Sequence, residues 1–137
     1  MYIVIVFITK EADYAVRIIR ALSRMGRENV RHICGSEQIP HQYAYKILKK
    51  LEKAGIVLSY RGVDGGYALV KDPRLITLFD VITAVDGDLL LCECLGHGAD
   101  CPMNGKGSRR CKVHGEFSRI QVLILKHLRE KSLAEIF

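Results

Sequence analysis

Two short runs of β-type residues, Ile56 to Tyr60 and Tyr67 to Val70, flank the turn Arg61-Gly62-Val63-Asp64-Gly65-Gly66. Such runs around a glycine-rich turn predict a hairpin. Three segments of helical spacing precede it. From Thr9 to Met25, Ala12, Ala15, Val16, Ile19 and Leu22 recur at helical intervals, while Lys10, Asp13, Arg17, Arg20 and Arg24 lie elsewhere on the wheel. Thr9 is the predicted N-cap and Gly26 ends the pattern. A short helix over about Arg31 to Glu37 follows. Pro40 opens a third, where its missing N–H is tolerated, and that helix runs to Ala54 and stops at Gly55. Three helices and then a hairpin is the order of a winged helix-turn-helix. The predicted fold class is mainly α with a small β wing.

Beyond the break at Asp72-Pro73, Thr77 and Asp80 form a capping-box pattern that starts a helix through Val85. A last long helix is predicted from Gly115 to Lys131. Phe117, Ile120, Val122, Leu123, Ile124, Leu125 and Leu128 cover most of its circumference. A helix apolar nearly all round must bury more than one face, and a small domain has too little core to cover both. A second copy of the chain is the expected cover, which makes this the dimerisation helix of a homodimer. Ser132 caps a final short turn, Leu133 to Phe137. The expected division is residues 1–75 for the winged helix-turn-helix and 76–137 for a sensor loop with the dimerisation helix.

The net charge is +6, and all of it lies in one part of the chain. Residues 1–74 carry thirteen Lys or Arg against seven Asp or Glu, and residues 75–137 carry eight of each. An excess confined in this way points to a polyanion, most often nucleic acid, and beside the winged helix-turn-helix order a double-stranded DNA operator is the expected partner. No segment reaches transmembrane length, and the apolar start MYIVIVFI lacks a basic flank and a cleavage site. A cytoplasmic protein without membrane association is expected. No redox C-x-x-C, phosphate-binding glycine loop or nucleophile–base pair is present, so an enzyme is not expected.

Four cysteines, Cys92, Cys94, Cys101 and Cys111, fall within twenty residues, with His114 three residues after the last. The stretch is rich in glycine and cannot build an apolar core of its own. Thiolates so close together are the usual ligands of zinc or of an iron–sulfur cluster. In a reducing compartment metal or redox use is favoured over structural disulfides. Cys34, far along the chain, reads as a small buried residue. His97, flanked by glycine, reads as exposed.

The blocks ITKEADYAVRIIRAL, IPHQYAYKILKKLEKAGIVLSYRGVDGGYALVKDP, ITLFDVITAVDG and SLAEIF resemble, in order, the winged-helix transcriptional regulators typified by IscR, NsrR, RirA and CymR. The likeness runs from about Ile8 to Phe137, and residues 1–7 are assigned no function. It implies a homodimer, each subunit with an N-terminal winged helix-turn-helix and a long helix crossing to its partner. For DNA it implies a recognition helix near Gln42 to Lys53 and an arginine at the wing tip, Arg61, beside Gly62.

The chemistry of the side chains suits those places. Gln42 can read adenine through its amide, and Tyr43 and Tyr45 can bond phosphate or pack on a thymine methyl. Lys46, Lys49 and Lys50 suit phosphates. Tyr43 has a core reading as well, and Tyr14 and Tyr67 read as packing residues. Gly65 and Gly66 are expected to supply positive φ in the turn. Where the cluster-assembly regulators often carry a glutamate, this chain has Tyr45.

For the cofactor, the resemblance implies Cys94, Cys101 and Cys111 as ligands of an iron–sulfur cluster, [2Fe-2S] or [4Fe-4S]. His114 is the implied fourth ligand and Cys92 its alternative. Zinc is the rival occupant, since three cysteines and a histidine would close a tetrahedral site. The implied function is operator binding controlled by the cluster, sensing iron–sulfur status, iron, nitric oxide or redox state. The alternative is a zinc-stapled or thiol-sensing regulator.

Overall fold

The computed structural model describes residues 3–4, 6–97 and 111–137. Helix α1 spans Lys10–Met25. Its N-cap, Thr9, accepts the Ala12 N–H at 3.1 Å and donates its own hydroxyl to Asp86 at 2.6 Å. One side chain therefore both starts α1 and ties it to a residue more than seventy positions away. Helix α2 spans Val30–Glu37, capped by Asn29, and α3 spans His41–Lys53 behind Pro40. Pro40 stands at the cap and leaves α3 without a side-chain cap bond. Ala44, Ile47, Leu48 and Leu51 of α3 are buried against Ile18, Ile19 and Leu22 of α1 and Ile33 of α2.

The hairpin is antiparallel. Strand β1, Val57–Tyr60, pairs with β2, Gly66–Leu69, in the register Val57 with Leu69 through Tyr60 with Gly66. Glu28 and Tyr67 exchange two backbone hydrogen bonds, at 2.9 and 2.7 Å, and join the hairpin to the loop between α1 and α2. Gly66, at φ +154, makes that contact possible, because a Cβ there would lie 2.4 Å from the Glu28 carbonyl oxygen. Gly65 differs from the sequence expectation. It does not have positive φ and is required by space instead, since a Cβ would meet the Tyr60 and Gly62 carbonyl oxygens at 2.8 Å.

A 3-10 turn at Pro73–Leu75 leads to α4, Leu78–Asp86, whose capping box between Thr77 and Asp80 is formed as expected. A second 3-10 turn, Glu93–Leu95, packs against α5, Lys112–Glu130. The chain ends in α6, Leu133–Ile136, capped by a Ser132–Glu135 box. Leu133 is fully buried, and its N–H bonds the Ile76 carbonyl at 2.7 Å. Ile76, Val81, Val85 and Leu133 share one buried cluster with α1, α2 and α3, so the core draws on both sides of residue 75.

Candidate nucleic-acid interface and cysteine site

Helix α3 presents its residues in two ways. The apolar stripe of Ala44, Ile47, Leu48 and Leu51 faces inward, which leaves Gln42, Tyr45, Lys46 and Lys49 exposed. Gln42 lies in the first turn, where side chains approach base edges when such a helix enters a major groove. Tyr43 is half-buried, its ring edge-on to Tyr14 at 5.6 Å between centroids. The structure therefore gives Tyr43 a packing role beside any DNA contact.

Two of the lysines carry an ion pair. Lys46 and Lys50 each donate to a different carboxylate oxygen of Glu11 at 2.8 Å. Those hydrogen bonds, that from Lys46 first, hold the Glu11 carboxyl below its ordinary pKa. Lys50 also donates to the Val85 carbonyl at 2.9 Å, near the C-terminal end of α4, where a cation complements the helix dipole. Lys50 is thus a strut between α1, α3 and α4. Lys49 and Arg61 are exposed and hold no ion pair among the described residues.

Tyr45 and Gly62 line one cleft of about 540 Å³ between α3 and the wing, together with Asn29, Arg31, Tyr60 and Gly66. Arg27 stacks over the Tyr60 ring at 3.8 Å and reaches the Asp64 carbonyl, which braces the wing from behind. Gly62 takes φ +103 at the hairpin tip, beside the exposed Arg61. Arg31, on the first turn of α2, was not singled out from sequence. Nothing in the local pattern separates a cleft-facing arginine from any other solvated one.

At the other end of the chain, Cys111 is the N-cap of α5, and its sulfur accepts the His114 N–H at 3.4 Å. The first turn of α5 thus brings Cys111 and His114 together. The Nδ1 atom of His114 is buried and has no hydrogen-bond partner among the described residues. A buried ring nitrogen left in that state costs free energy. Cys92 and Cys94 bracket the start of the 3-10 turn, with sulfurs 3.3 Å apart. Cys101 lies outside the described residues, and among those described no three ligating side chains converge. A soft ligand set of thiolates with an orphaned imidazole nitrogen fits a thiophilic metal or cluster. Cys34 is buried and burial raises its thiol pKa, which makes it inert. His97 is exposed.

A polar residue missed from sequence ties this region down. The Gln121 side chain accepts the Leu91 N–H at 2.9 Å and donates to the Leu89 carbonyl at 2.5 Å. Sequence periodicity marked its neighbours Val122 and Leu123 and passed over the glutamine between apolar residues.

A basic winged helix-turn-helix joined to a cysteine-bearing segment defines a DNA-binding regulator, and comparison with known proteins agrees. The Rrf2 model, described as an iron-dependent transcriptional regulator, matches residues 8–137, and the chain belongs to that family. It is 31% identical over 132 residues to the HTH-type transcriptional regulator IscR of Vibrio campbellii, covering 94% of this chain and 76% of that one. It is 32% identical over 99 residues to protein aau3 of Rhizobium meliloti, covering 70% of this chain and 64% of that protein. Its fold matches the structure of CymR, the global cysteine regulator of B. subtilis, with a TM-score of 0.75 at 22% identity over 96% of each chain. The chain is a transcriptional regulator rather than an enzyme. Among the described residues no helix is long and apolar enough to cross a membrane.

Proposed function

We propose that this regulator binds its operator as a homodimer in the cytoplasm, under the control of an iron–sulfur cluster held by Cys94, Cys101, Cys111 and His114. The observation that carries the cofactor reading is the buried, unpartnered Nδ1 of His114 one helical turn from Cys111. A metal there would relieve the uncompensated nitrogen. When bound, the cluster supplies a redox-sensitive and iron-dependent charge beside α5. The protein's own part is to convert that state into a different arrangement of two reading heads. Only a difference in operator affinity between the loaded and empty forms can carry the signal.

Dimerisation is proposed through α5, in which no residue is buried although Val122, Leu123 and Phe117 are 61%, 44% and 41% exposed. DNA contact is assigned to Gln42, Tyr45, Lys46, Lys49, Arg61 and Gly62, with Tyr43 shared between packing and contact. Zinc is the second reading, because thiolates and an imidazole also close a tetrahedral zinc site. The 3.3 Å between the Cys92 and Cys94 sulfurs is near the roughly 3.8 Å that two thiolates take on one tetrahedral metal ion, iron and zinc alike.

Anaerobic purification with iron, sulfide and zinc analysis and a visible absorption spectrum tests this reading. Iron and sulfide in equal amounts, lost in each alanine variant of Cys94, Cys101 and Cys111, is the expected result. Stoichiometric zinc without sulfide replaces it with the second reading.

A further inference from the structure

Resting on that reading of the cysteine site, we propose that Gln121 is its positioning residue, an amide clamp that sets the register of the cysteine segment along the dimer helix. No carboxylate or ammonium could do the same work alone. The clamp needs one acceptor and one donor on the same planar group, because it receives the Leu91 N–H and gives a hydrogen to the Leu89 carbonyl. The two bonds join residues thirty and thirty-two positions apart in sequence, where the chain between carries the four clustered cysteines.

The placement of the clamp along α5 gives it its purpose. His114, Ser118, Gln121, Leu125 and Leu128 follow one another at spacings of four, three, four and three, so they share one stripe of the helix. All five are half-buried, whereas Val113, Glu116, Val122 and Leu123 on other faces are exposed. Gln121 and His114 therefore face the same side, about 10 Å apart along the axis. Leu91 is held at the Gln121 level, and the 3-10 turn that carries Cys94 begins two residues later and packs against α5. Without the clamp the turn that carries Cys94 is free to shift along α5 relative to Cys111 and His114. Groups that orient metal ligands in this way are worth about 10- to 100-fold in metal affinity.

The test uses the full chain prepared without oxygen, as the unaltered protein and as the variants Gln121→Met and Gln121→Glu. Methionine matches the length and removes both bonds. Glutamate keeps the acceptor for Leu91 and sets an oxygen against the Leu89 carbonyl. The expected result is a cluster released to a chelator about 10- to 100-fold faster in Gln121→Met, with an altered visible spectrum, and an intermediate rate in Gln121→Glu. The sedimentation of both variants should match that of the unaltered protein. An unchanged spectrum and release rate in Gln121→Met overturns the proposal. If the unaltered protein holds neither cluster nor zinc, the site reading fails by itself. The clamp is then decided by amide exchange at Leu91: faster exchange in Gln121→Met upholds it, and equal exchange overturns it.

Discussion

The first half of the chain buries its apolar side chains against one another, whereas the last long helix buries none. Helices α1, α2 and α3 share a core in which Ile18, Ile19, Ile33, Ile47, Leu48 and Leu51 are fully enclosed. Helix α5 has nineteen residues, and every one of them keeps some solvent contact within a single chain. The charges divide the same way, with all the excess positive charge in residues 1–74 and none in 75–137. The first region is complete once α4 and Leu133 close its core, and it carries the basic excess. The second leaves the apolar residues of α5 uncovered within one chain.

The largest effect expected to sharpen this contrast is on α5. Leu123→Asp places an unpaired charge in the proposed dimer contact, at a cost of about 3–5 kcal/mol. Sedimentation should show monomer, while circular dichroism shows the reading head still helical. A dimer that survives Leu123→Asp contradicts the assignment of α5 as the interface. In the complete region the outcome reverses. Leu48→Ala opens a cavity in the core and should cost about 2–5 kcal/mol of unfolding free energy, measured by urea titration.

Smaller effects concern the DNA surface. Arg61→Ala should weaken specific operator binding by about 1–3 kcal/mol and leave the melting temperature unchanged. Lys49→Ala should weaken binding evenly across sequences and lower the salt slope by about one unit, read by fluorescence anisotropy at several salt concentrations. Equal loss for operator and random DNA on removing Arg61 would dissolve the distinction between the two residues.

The smallest effect is a pH dependence at the junction of α1 and α3. Hydrogen bonds from Lys46 and then Lys50 lower the Glu11 pKa in the folded state. A depressed carboxylate pKa contributes stability that is present above the unfolded value and is lost as pH falls through the folded one. Melting temperatures of the unaltered protein and of Glu11→Gln should therefore differ near neutrality and converge as pH falls through the ordinary carboxylate range and below it. Glu11→Gln should also release Lys46 toward DNA and raise affinity for random sequences. A constant difference in melting temperature across the acid range would show that the ion pair does not link the helices.

The complete region was the more legible of the two. Its helices announced themselves because apolar residues recur at 3.6 positions, and the Arg61–Gly66 turn marked the hairpin. Thr9, Thr77 and Ser132 were readable as caps because a short polar side chain must satisfy the open N–H groups of a helix start. What escaped were polar contacts between distant residues. Nothing in the spacing of Glu11, Lys46 and Lys50 says that one carboxylate holds two lysines. Gln121 is one amide in a row of apolar residues, and its partners are backbone groups that carry no sequence signature. The half-buried setting of Tyr43 on Tyr14 is a tertiary fact of the same kind. The α5 start was read three residues late, because Cys111 caps the helix with its sulfur and is not among the usual N-cap residues.

The central claim is that the state of the cysteine segment sets what the reading heads bind. Its most direct test is operator affinity of the anaerobically loaded dimer against the same dimer stripped by chelator, at one salt concentration. The account predicts that the two forms differ by at least about fivefold for operator DNA, as a coupling free energy of about 1 kcal/mol requires, and are alike for random DNA. Equal operator affinity in both forms, with the loaded form shown to carry its cluster, would contradict it.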